Sequence, residues 1–269
     1  MITRADGQIE CYQAVLAHHI DQIVCENPVP INLIRICQRY QLNVLHKNIA
    51  DYRAYLAIND TSEQTQFFIL VPQKSKGTRY ERFCIAHELA HYILLKNFGT
   101  VAPAEFNHWV TEKLCDDFAR RLLVPDGYLK EKFSNVRVRA FDFLRVANRV
   151  SSMAGIPWIH GARRVHEHFR NVCFLRMQFT DEARLKVVST TLPQSKETGK
   201  LVDKGTKWAE MISKMSCSNG ANEIRFMESV EKPVIASSGI RSLIQAHEVA
   251  VCVDHTRLQV DIRVGAVTV

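Results

Sequence analysis

The sequence lacks any run of about 18 or more apolar residues, the length that a membrane-spanning helix needs, so we expect no membrane span. Residues 1–6 lack the apolar core of a secretory signal peptide. The eight cysteines are scattered, without a Cys-x-x-Cys pair, and several fall within apolar helical patterns. Without an export signal, this distribution is typical of reduced thiols. We therefore expect a cytoplasmic protein without a disulfide framework.

The formal net charge of +7 is unevenly distributed along the chain. Residues 1–130 carry 14 basic and 14 acidic side chains, whereas residues 131–170 carry eight basic and three acidic ones, a net charge of +5. A basic stretch of this kind is either a solvated surface or a surface that contacts a polyanion, such as DNA, or an acidic partner. The charge alone does not decide between the two interpretations.

Hydrophobic spacing predicts helices and short strands in the first part of the chain. Apolar residues recur at helical spacing over residues 9–25 and 31–41, which predicts two helices. The polar segment 59–62 is typical of a turn between two strands, so we expect an antiparallel hairpin there. Runs of aromatic and β-branched residues predict strands around Leu45, around 55–57 and over 67–71.

A capped helix is predicted after these strands. Thr78 and Glu81 have the three-residue spacing of a capping box, and apolar residues follow them. Asn97-Phe98-Gly99 supplies a C-terminal stop. A further helix fits residues 104–123 and is ended by Pro125.

Beyond residue 130 the predicted elements change in kind. Residues 130–170 have helical spacing that is broken at Gly155-Ile156-Pro157. We therefore predict an α+β chain with three parts: residues 1–130, a basic helical segment over 131–170, and an α+β domain over 171–269. In the last part, helices are expected near 203–216 and 238–247, and strands over 172–179, 185–191, 223–227, 249–253 and 258–264.

Residues 87–91 read His-Glu-Leu-Ala-His within the predicted capped helix. Positions i and i+4 share one helix face, so His87 and His91 can direct imidazole nitrogens at one ion, and neutral imidazole is a good zinc ligand. Glu88 is rotated from His87 by about 100° and can reach a water beside the metal. Zinc lowers the pKa of such a water towards about 7, and a carboxylate can accept its proton during attack on a carbonyl. The pattern indicates a metallopeptidase site with Glu88 as general base.

A catalytic zinc needs a third protein ligand and one open position. The next predicted helix offers Glu112, which we favour, and His108, one turn earlier, as a competing ligand. Asp116 lies one turn after Glu112 and could fix the tautomer of a ligating histidine. Manganese is the alternative metal for a His/His/carboxylate site. The group that stabilises the oxyanion is left open among Tyr92, His108, Arg120 and Tyr128.

Two segments carry a resemblance to a known family. Residues 82–92 read RFCIAHELAHY, and residues 112–125 read EKLCDDFARRLLVP. An Arg-Phe pair before His-Glu-x-x-His, with a later glutamate followed by Phe-Ala, two leucines and a proline, is typical of the ImmA/IrrE metallopeptidases. The chain resembles them over residues 10–130, about half its length. It departs from their usual alanine at Cys115 and their usual methionine at Val124, and neither position is a proposed ligand.

The resemblance implies a zincin-like helical domain with a small antiparallel sheet. It also implies an activity, because members of the family are bacterial or phage-borne regulators that cleave a helix-turn-helix repressor in a stress or mobile-element response. A peptide substrate can bind by adding a strand to an exposed sheet edge, and 54–59 or 66–71 is the candidate edge. Radiation-response members carry a helix-turn-helix segment and end in a GAF-like sensory domain, which implies those roles for residues 141–168 and 171–269.

Two other functions stay open beside the endopeptidase. In the first, the chain is a DNA-binding transcriptional regulator whose metal site is secondary, with Arg163 and Arg164 as candidate nucleic-acid contacts in a weak helix-turn-helix signal. In the second, zinc stabilises a scaffold that does not hydrolyse peptides. The alternative for residues 131–170 is a helical extension that packs on the catalytic domain.

Overall fold

The computed structural model of the chain contains helices and sheets in two compact units, which confirms the predicted α+β class. The first unit comprises the residues up to Lys132 together with Ser151–His160, and the second comprises Phe133–Val150 and the residues from Gly161 onward. The structure describes residues 4–50, 53–60, 64–99, 108–133, 140–169, 172–179, 185–190, 223–228, 246–255 and 260–268.

The first unit begins with two helices, α1 (Arg4–Glu26) and α2 (Leu33–Arg39), where helices are predicted. Leu16 and Ile23 lie on the buried face of α1, at helical spacing. The side chain of Asn32 caps α2 by accepting a hydrogen bond from the third backbone N–H of that helix. Both helices are thus fixed by local sequence and by one buried face.

The sheet of the first unit is formed by β1 (Leu42–Lys47), β2 (Tyr55–Asp60) and β3 (Thr65–Pro72). β2 and β3 pair antiparallel, which confirms the predicted hairpin. β1 pairs with β3 in parallel, so the sheet is mixed, and the prediction of an antiparallel sheet is wrong for this pairing. The physical reason is the path of the chain: after the hairpin with β2, β3 returns to the position beside β1 and therefore runs in the same direction as β1.

The strand order β1-β3-β2 decides between the two candidate edges for a bound peptide. β3 is central, so the candidate edge over 66–71 is wrong. β2 lies at an edge, and two of its apolar side chains, Tyr55 and Ile58, are exposed. An edge strand offers one row of backbone groups to a further strand.

Helix α3 (Arg79–Phe98) begins and ends where the sequence predicts. The Thr78 hydroxyl accepts a hydrogen bond from the Glu81 N–H at 3.1 Å, and Gly99, with a φ of 72°, donates its N–H to a carbonyl of the last turn. The Glu81 carboxylate also meets Nε2 of His46 at 2.5 Å, which joins the start of α3 to β1. The cap therefore fixes the position of this helix as well as its length.

The helices that follow α3 are α4 (His108–Leu123), α5 (Asp126–Phe133), α6 (Ala140–Ala154) and α7 (Trp158–His168). α4 ends before Pro125, and α6 and α7 are separated at Gly155, whose φ is 63°, so both predicted breaks are confirmed. The first residues of the helix predicted over 104–123 lie outside the described part of the chain. α4 packs on α1 and α3.

The described strands of the second unit are β4 (Val172–Phe179), β5 (Leu185–Thr190), β6 (Glu223–Glu228), β7 (Ala246–His255) and β8 (Val260–Thr268). They form an antiparallel sheet in the order β5-β4-β8-β7-β6. All five predicted strands of this region are confirmed within a few residues. The helix predicted over 238–247 is wrong at Ala246 and His247, because these residues belong to β7, whose pairing with β8 begins at Ala246. The remainder of that helix, and the helix predicted near 203–216, lie outside the described residues. None of the described helices is long and apolar enough to cross a membrane.

Candidate metal centre

Three predicted ligands come together between α3 and α4. His87 and His91 lie one turn apart on α3, with their Nε2 atoms 3.2 Å apart. Glu112 of α4 places one carboxylate oxygen 3.3 Å from Nε2 of His87 and the other 3.3 Å from Nε2 of His91. All three side chains are partly buried, and their ligand atoms form a triangle that could hold a metal ion.

The edges of this triangle fit zinc. Tetrahedral zinc with ligand bonds of about 2.0–2.1 Å has ligand-to-ligand distances of about 3.3–3.4 Å. The observed distances of 3.2, 3.3 and 3.3 Å match one face of such a tetrahedron. Two imidazole nitrogens and one carboxylate are also the donor set of a catalytic zinc site, in which the fourth position stays open.

Small buried residues let the two helices approach each other. Ala86 and Ala90 of α3 and Cys115 and Ala119 of α4 are fully buried, and the two helices pack together. A small side chain at a helix contact shortens the distance between the axes. This packing brings Glu112, on the second turn of α4, within reach of both imidazoles.

Asp116 orients the His87 imidazole by contacting the ring nitrogen that does not face the cluster. Nδ1 of His87 lies 3.0 Å from Oδ1 of Asp116, so an Nδ1–H donated to the carboxylate leaves Nε2 with its lone pair towards the cluster. Burial alone would raise the pKa of Asp116, but the hydrogen bond from His87 and the charges of His87, Arg120 and His160 lower it overall. Nδ1 of His91 is buried and has no hydrogen-bond partner among the described residues.

Glu88 stands beside the cluster rather than in it. Its Oε2 accepts a hydrogen bond from the backbone N–H of Leu56 in β2 at 2.9 Å. Burial raises the pKa of the Glu88 carboxyl, although the charges of His91 and His87 oppose this. A carboxyl whose pKa moves towards neutrality is better suited to accept and return a proton.

Within the cluster, His87 holds its proton strongly, whereas Glu112 loses its proton readily. Burial lowers the pKa of an imidazole, yet hydrogen bonds to Asp116 and Glu112 raise the pKa of His87 to about 9. The hydrogen bonds from His87 and His91 keep the pKa of the Glu112 carboxyl well below its usual range. At neutral pH a metal ion must therefore displace a proton from His87 before it can bind.

Zinc affinity is accordingly expected to rise with pH. Below the His87 pKa of about 9, each pH unit should increase the apparent affinity about tenfold for the one proton displaced, and the rise should level off above it. Competition with a chromophoric chelator, corrected for the chelator's own protonation, measures this between about pH 6.5 and 9.5. Asp116→Asn removes one of the charges that raise this pKa, so the rise in zinc affinity should level off at a lower pH. An affinity independent of pH in the unaltered protein would contradict the role of His87.

The candidate oxyanion stabilisers that the structure describes are engaged with other groups. The Tyr92 hydroxyl donates to the Tyr40 carbonyl at 2.7 Å, and the Tyr128 hydroxyl donates to the sulfur of Met153 at 3.0 Å. Arg120 lies 3.8 Å from Asp116 and 3.6 Å from Asp117. The side chain of His108 lies outside the described residues, so its competition with Glu112 stays untested.

The two arginines predicted to contact nucleic acid differ in exposure. Arg163 is half-buried, whereas Arg164 is 1% exposed and forms an ion pair with Glu167. A buried, paired guanidinium cannot reach a phosphate, so the prediction for Arg164 is wrong. The sequence placed both residues on one basic helix but contained no information on which face is buried.

Two contacts of the site have no signal in the sequence. The Leu56 N–H reaches Glu88 from a strand of the sheet, and backbone donors cannot be read from residue types. His160, in the first turn of α7, stacks on Phe83 with ring centroids 3.4 Å apart and an interplanar angle of 13°. Phe83 precedes His87 by one turn, so His160 belongs to the surroundings of the cluster.

Comparison with known proteins supports the fold and leaves the family open. No protein-family model and no curated protein matches the chain. A solved structure described as a Mycobacterium tuberculosis transcriptional regulator is similar, with a TM-score of 0.53 and 10% sequence identity, over 96% of this chain and 76% of that chain. At this identity the likeness shows a shared fold alone, and the resemblance to the ImmA/IrrE family rests on the motifs.

Proposed function

We propose that the chain is a zinc-dependent endopeptidase that cleaves a protein regulator of transcription. The observation that carries this proposal is the triangle of His87, His91 and Glu112, with Glu88 one residue beyond the first ligand. A scaffold site would have its coordination completed by protein, whereas the described residues supply three donors, which leaves one position of a tetrahedral zinc open. The proposal that the substrate is a repressor is based on the motif resemblance to the ImmA/IrrE family.

Each residue has a distinct part in the proposed reaction. A zinc ion held by the three ligands would act as a Lewis acid on a peptide carbonyl and lower the pKa of water at the open position. Glu88, half-buried and held by the Leu56 N–H, would accept the proton of the attacking water and return it to the leaving amine. Asp116 would keep His87 in the ligating tautomer.

The edge of β2 is the proposed site for the substrate backbone. An extended peptide can add to an exposed strand through main-chain hydrogen bonds. β2 is an edge strand, its Tyr55 and Ile58 side chains are exposed, and its Leu56 N–H contacts the proposed general base. A peptide added here would pass beside Glu88.

Cleavage is tested directly with the purified, zinc-loaded chain. The substrates are a set of internally quenched peptides and a helix-turn-helix repressor encoded by an adjacent gene. Zinc-dependent cleavage that a chelator abolishes and added zinc restores would support the proposal. Zinc uptake without cleavage of either substrate would favour the scaffold.

A DNA-binding transcriptional regulator is the second candidate, and the fold comparison favours it. The similar structure is described as a transcriptional regulator, and residues 131–170 carry a net charge of +5 from eight basic and three acidic side chains. In this candidate, α6 and α7 contact DNA and the metal site is secondary. We also propose that residues 171–269 form a sensory domain and that the protein is cytoplasmic.

DNA binding through this segment would depend on salt and on Arg163. The logarithm of the affinity should fall linearly with the logarithm of salt concentration, and Arg163→Gln should reduce the slope by about 1. Arg35→Gln is the matched control, because Arg35 is exposed on α2 in the neutral part of the chain. Fluorescence anisotropy with labelled duplex DNA measures both. Equal slopes for the two variants would contradict a contact by Arg163.

A further inference from the structure

The turn between α6 and α7 is fastened to the helix that carries the two histidine ligands. Arg82 of α3 donates from Nε to the Ala154 carbonyl at 3.2 Å and from its terminal nitrogen to the Ile31 carbonyl at 2.8 Å. Arg79 donates to the Ser152 hydroxyl at 3.2 Å. These contacts tie the end of α6 to the first turn of α3.

Gly155 allows this close approach. Its φ of 63° is in the left-handed region, and a Cβ at this position would lie 3.1 Å from two side-chain atoms of Arg82. A larger residue would therefore be strained and would also push against the arginine. Glycine at this turn therefore leaves room for the Arg82 side chain. Helix α7 begins three residues later, at Trp158.

The turn between α6 and α7 places His160 close to the metal ligands. The His160 ring is nearly parallel to the Phe83 ring and in contact with it. Phe83 is buried, and its centroid lies 6.3 Å from that of His87. Asp116, which accepts the hydrogen bond from His87, is also close enough to His160 to respond to its charge. His160 therefore contacts Phe83, the buried ring one turn before His87.

We infer that His160 is a positioning residue of the metal centre, acting through its stack on Phe83 to hold the His87 ring in the ligating orientation. The inference rests on the proposed metal centre. It also assigns the start of α7 to the peptidase unit. In a helix-turn-helix the first residues of the second helix face the base edges, whereas here Trp158 is 8% exposed and one face of the His160 ring is covered by Phe83.

Zinc affinity and the visible spectrum of the cobalt-substituted protein test this inference. His160→Ala should lower zinc affinity about tenfold, the lower end for loss of an outer partner of a ligand, and should change the cobalt spectrum. His160→Phe keeps a flat ring and should restore both. His166→Ala is the matched control, because His166 is a half-buried histidine of the same helix. Circular dichroism and the unfolding midpoint report whether each variant folds.

A double variant keeps the test decisive if His160→Ala folds poorly. Phe83→Leu removes the stacking partner and should itself lower zinc affinity and change the cobalt spectrum, so adding His160→Leu, which removes the flat ring but keeps an apolar side chain, should cause no further change in either. Unchanged affinity and spectrum in His160→Ala, a failed rescue by His160→Phe, or an equal loss in His166→Ala would overturn the inference alone. Absence of zinc uptake by the unaltered protein would instead overturn the proposed function, and the inference with it.

Discussion

Glu88→Gln is expected to abolish peptide hydrolysis while zinc affinity stays unchanged. The amide oxygen of glutamine can still accept the hydrogen bond from the Leu56 N–H, so the side chain should keep its place. It cannot take a proton from water, and loss of a general base costs about 10²–10⁴ in rate. kcat on a quenched peptide and zinc content by elemental analysis measure the two effects separately.

Glu10→Gln is the matched control for this substitution, since Glu10 is an exposed carboxylate of α1 away from the cluster. It should cleave at the unaltered rate. If Glu88→Gln still cuts at a comparable rate, the proton is taken by another group. Loss of zinc in Glu88→Gln would instead mean that the residue belongs to the ligand set.

Glu112→Ala is expected to lose the metal, whereas His108→Ala should keep it. Glu112 provides one corner of the triangle, with an oxygen 3.3 Å from each imidazole, and its removal leaves two of the three ligands among the described residues. The loss should exceed the roughly 10–100-fold cost of removing an outer partner of a ligand. Zinc affinity by chelator competition compares the two variants under identical conditions.

The comparison also resolves the ligand choice that the sequence leaves open. His108 and Glu112 are one turn apart on α4, so one variant serves as the control for the other. Metal lost in His108→Ala and kept in Glu112→Ala would overturn the ligand set. Folding of both variants is verified by circular dichroism.

Helix α3 shows what local sequence can predict about this molecule. Its start depends on Thr78 and Glu81, its end on Gly99, and the pairing of His87 with His91 on the four-residue repeat of a helix. Every one of these relations spans a few residues. The ends of the helix and the common face of the two histidines could therefore be predicted before any tertiary contact was known.

Strand pairing, burial and contacts between distant segments could not be predicted from local sequence patterns. Whether β1 pairs in parallel or antiparallel depends on the path of the connection to β2, and strand composition does not contain that information. Arg164 was assigned to nucleic acid from its charge, but burial and the ion pair with Glu167 depend on the face that α7 turns inward. The stack of His160 on Phe83 joins residues far apart in the chain, and lone aromatic residues carry no partner signal.

The hydrogen bond between Leu56 and Glu88 restricts how an extended chain can lie along β2. Alternate residues of a strand direct their backbone groups to the same side, so Leu56, Ile58 and Asp60 all face away from β3. The Leu56 N–H already donates to Glu88. A bound strand would therefore form main-chain hydrogen bonds with Ile58 and Asp60 but not with the N–H of Leu56. The part of the bound chain nearest the carboxylate would thus keep the greatest freedom to change shape, while its neighbours hold the register.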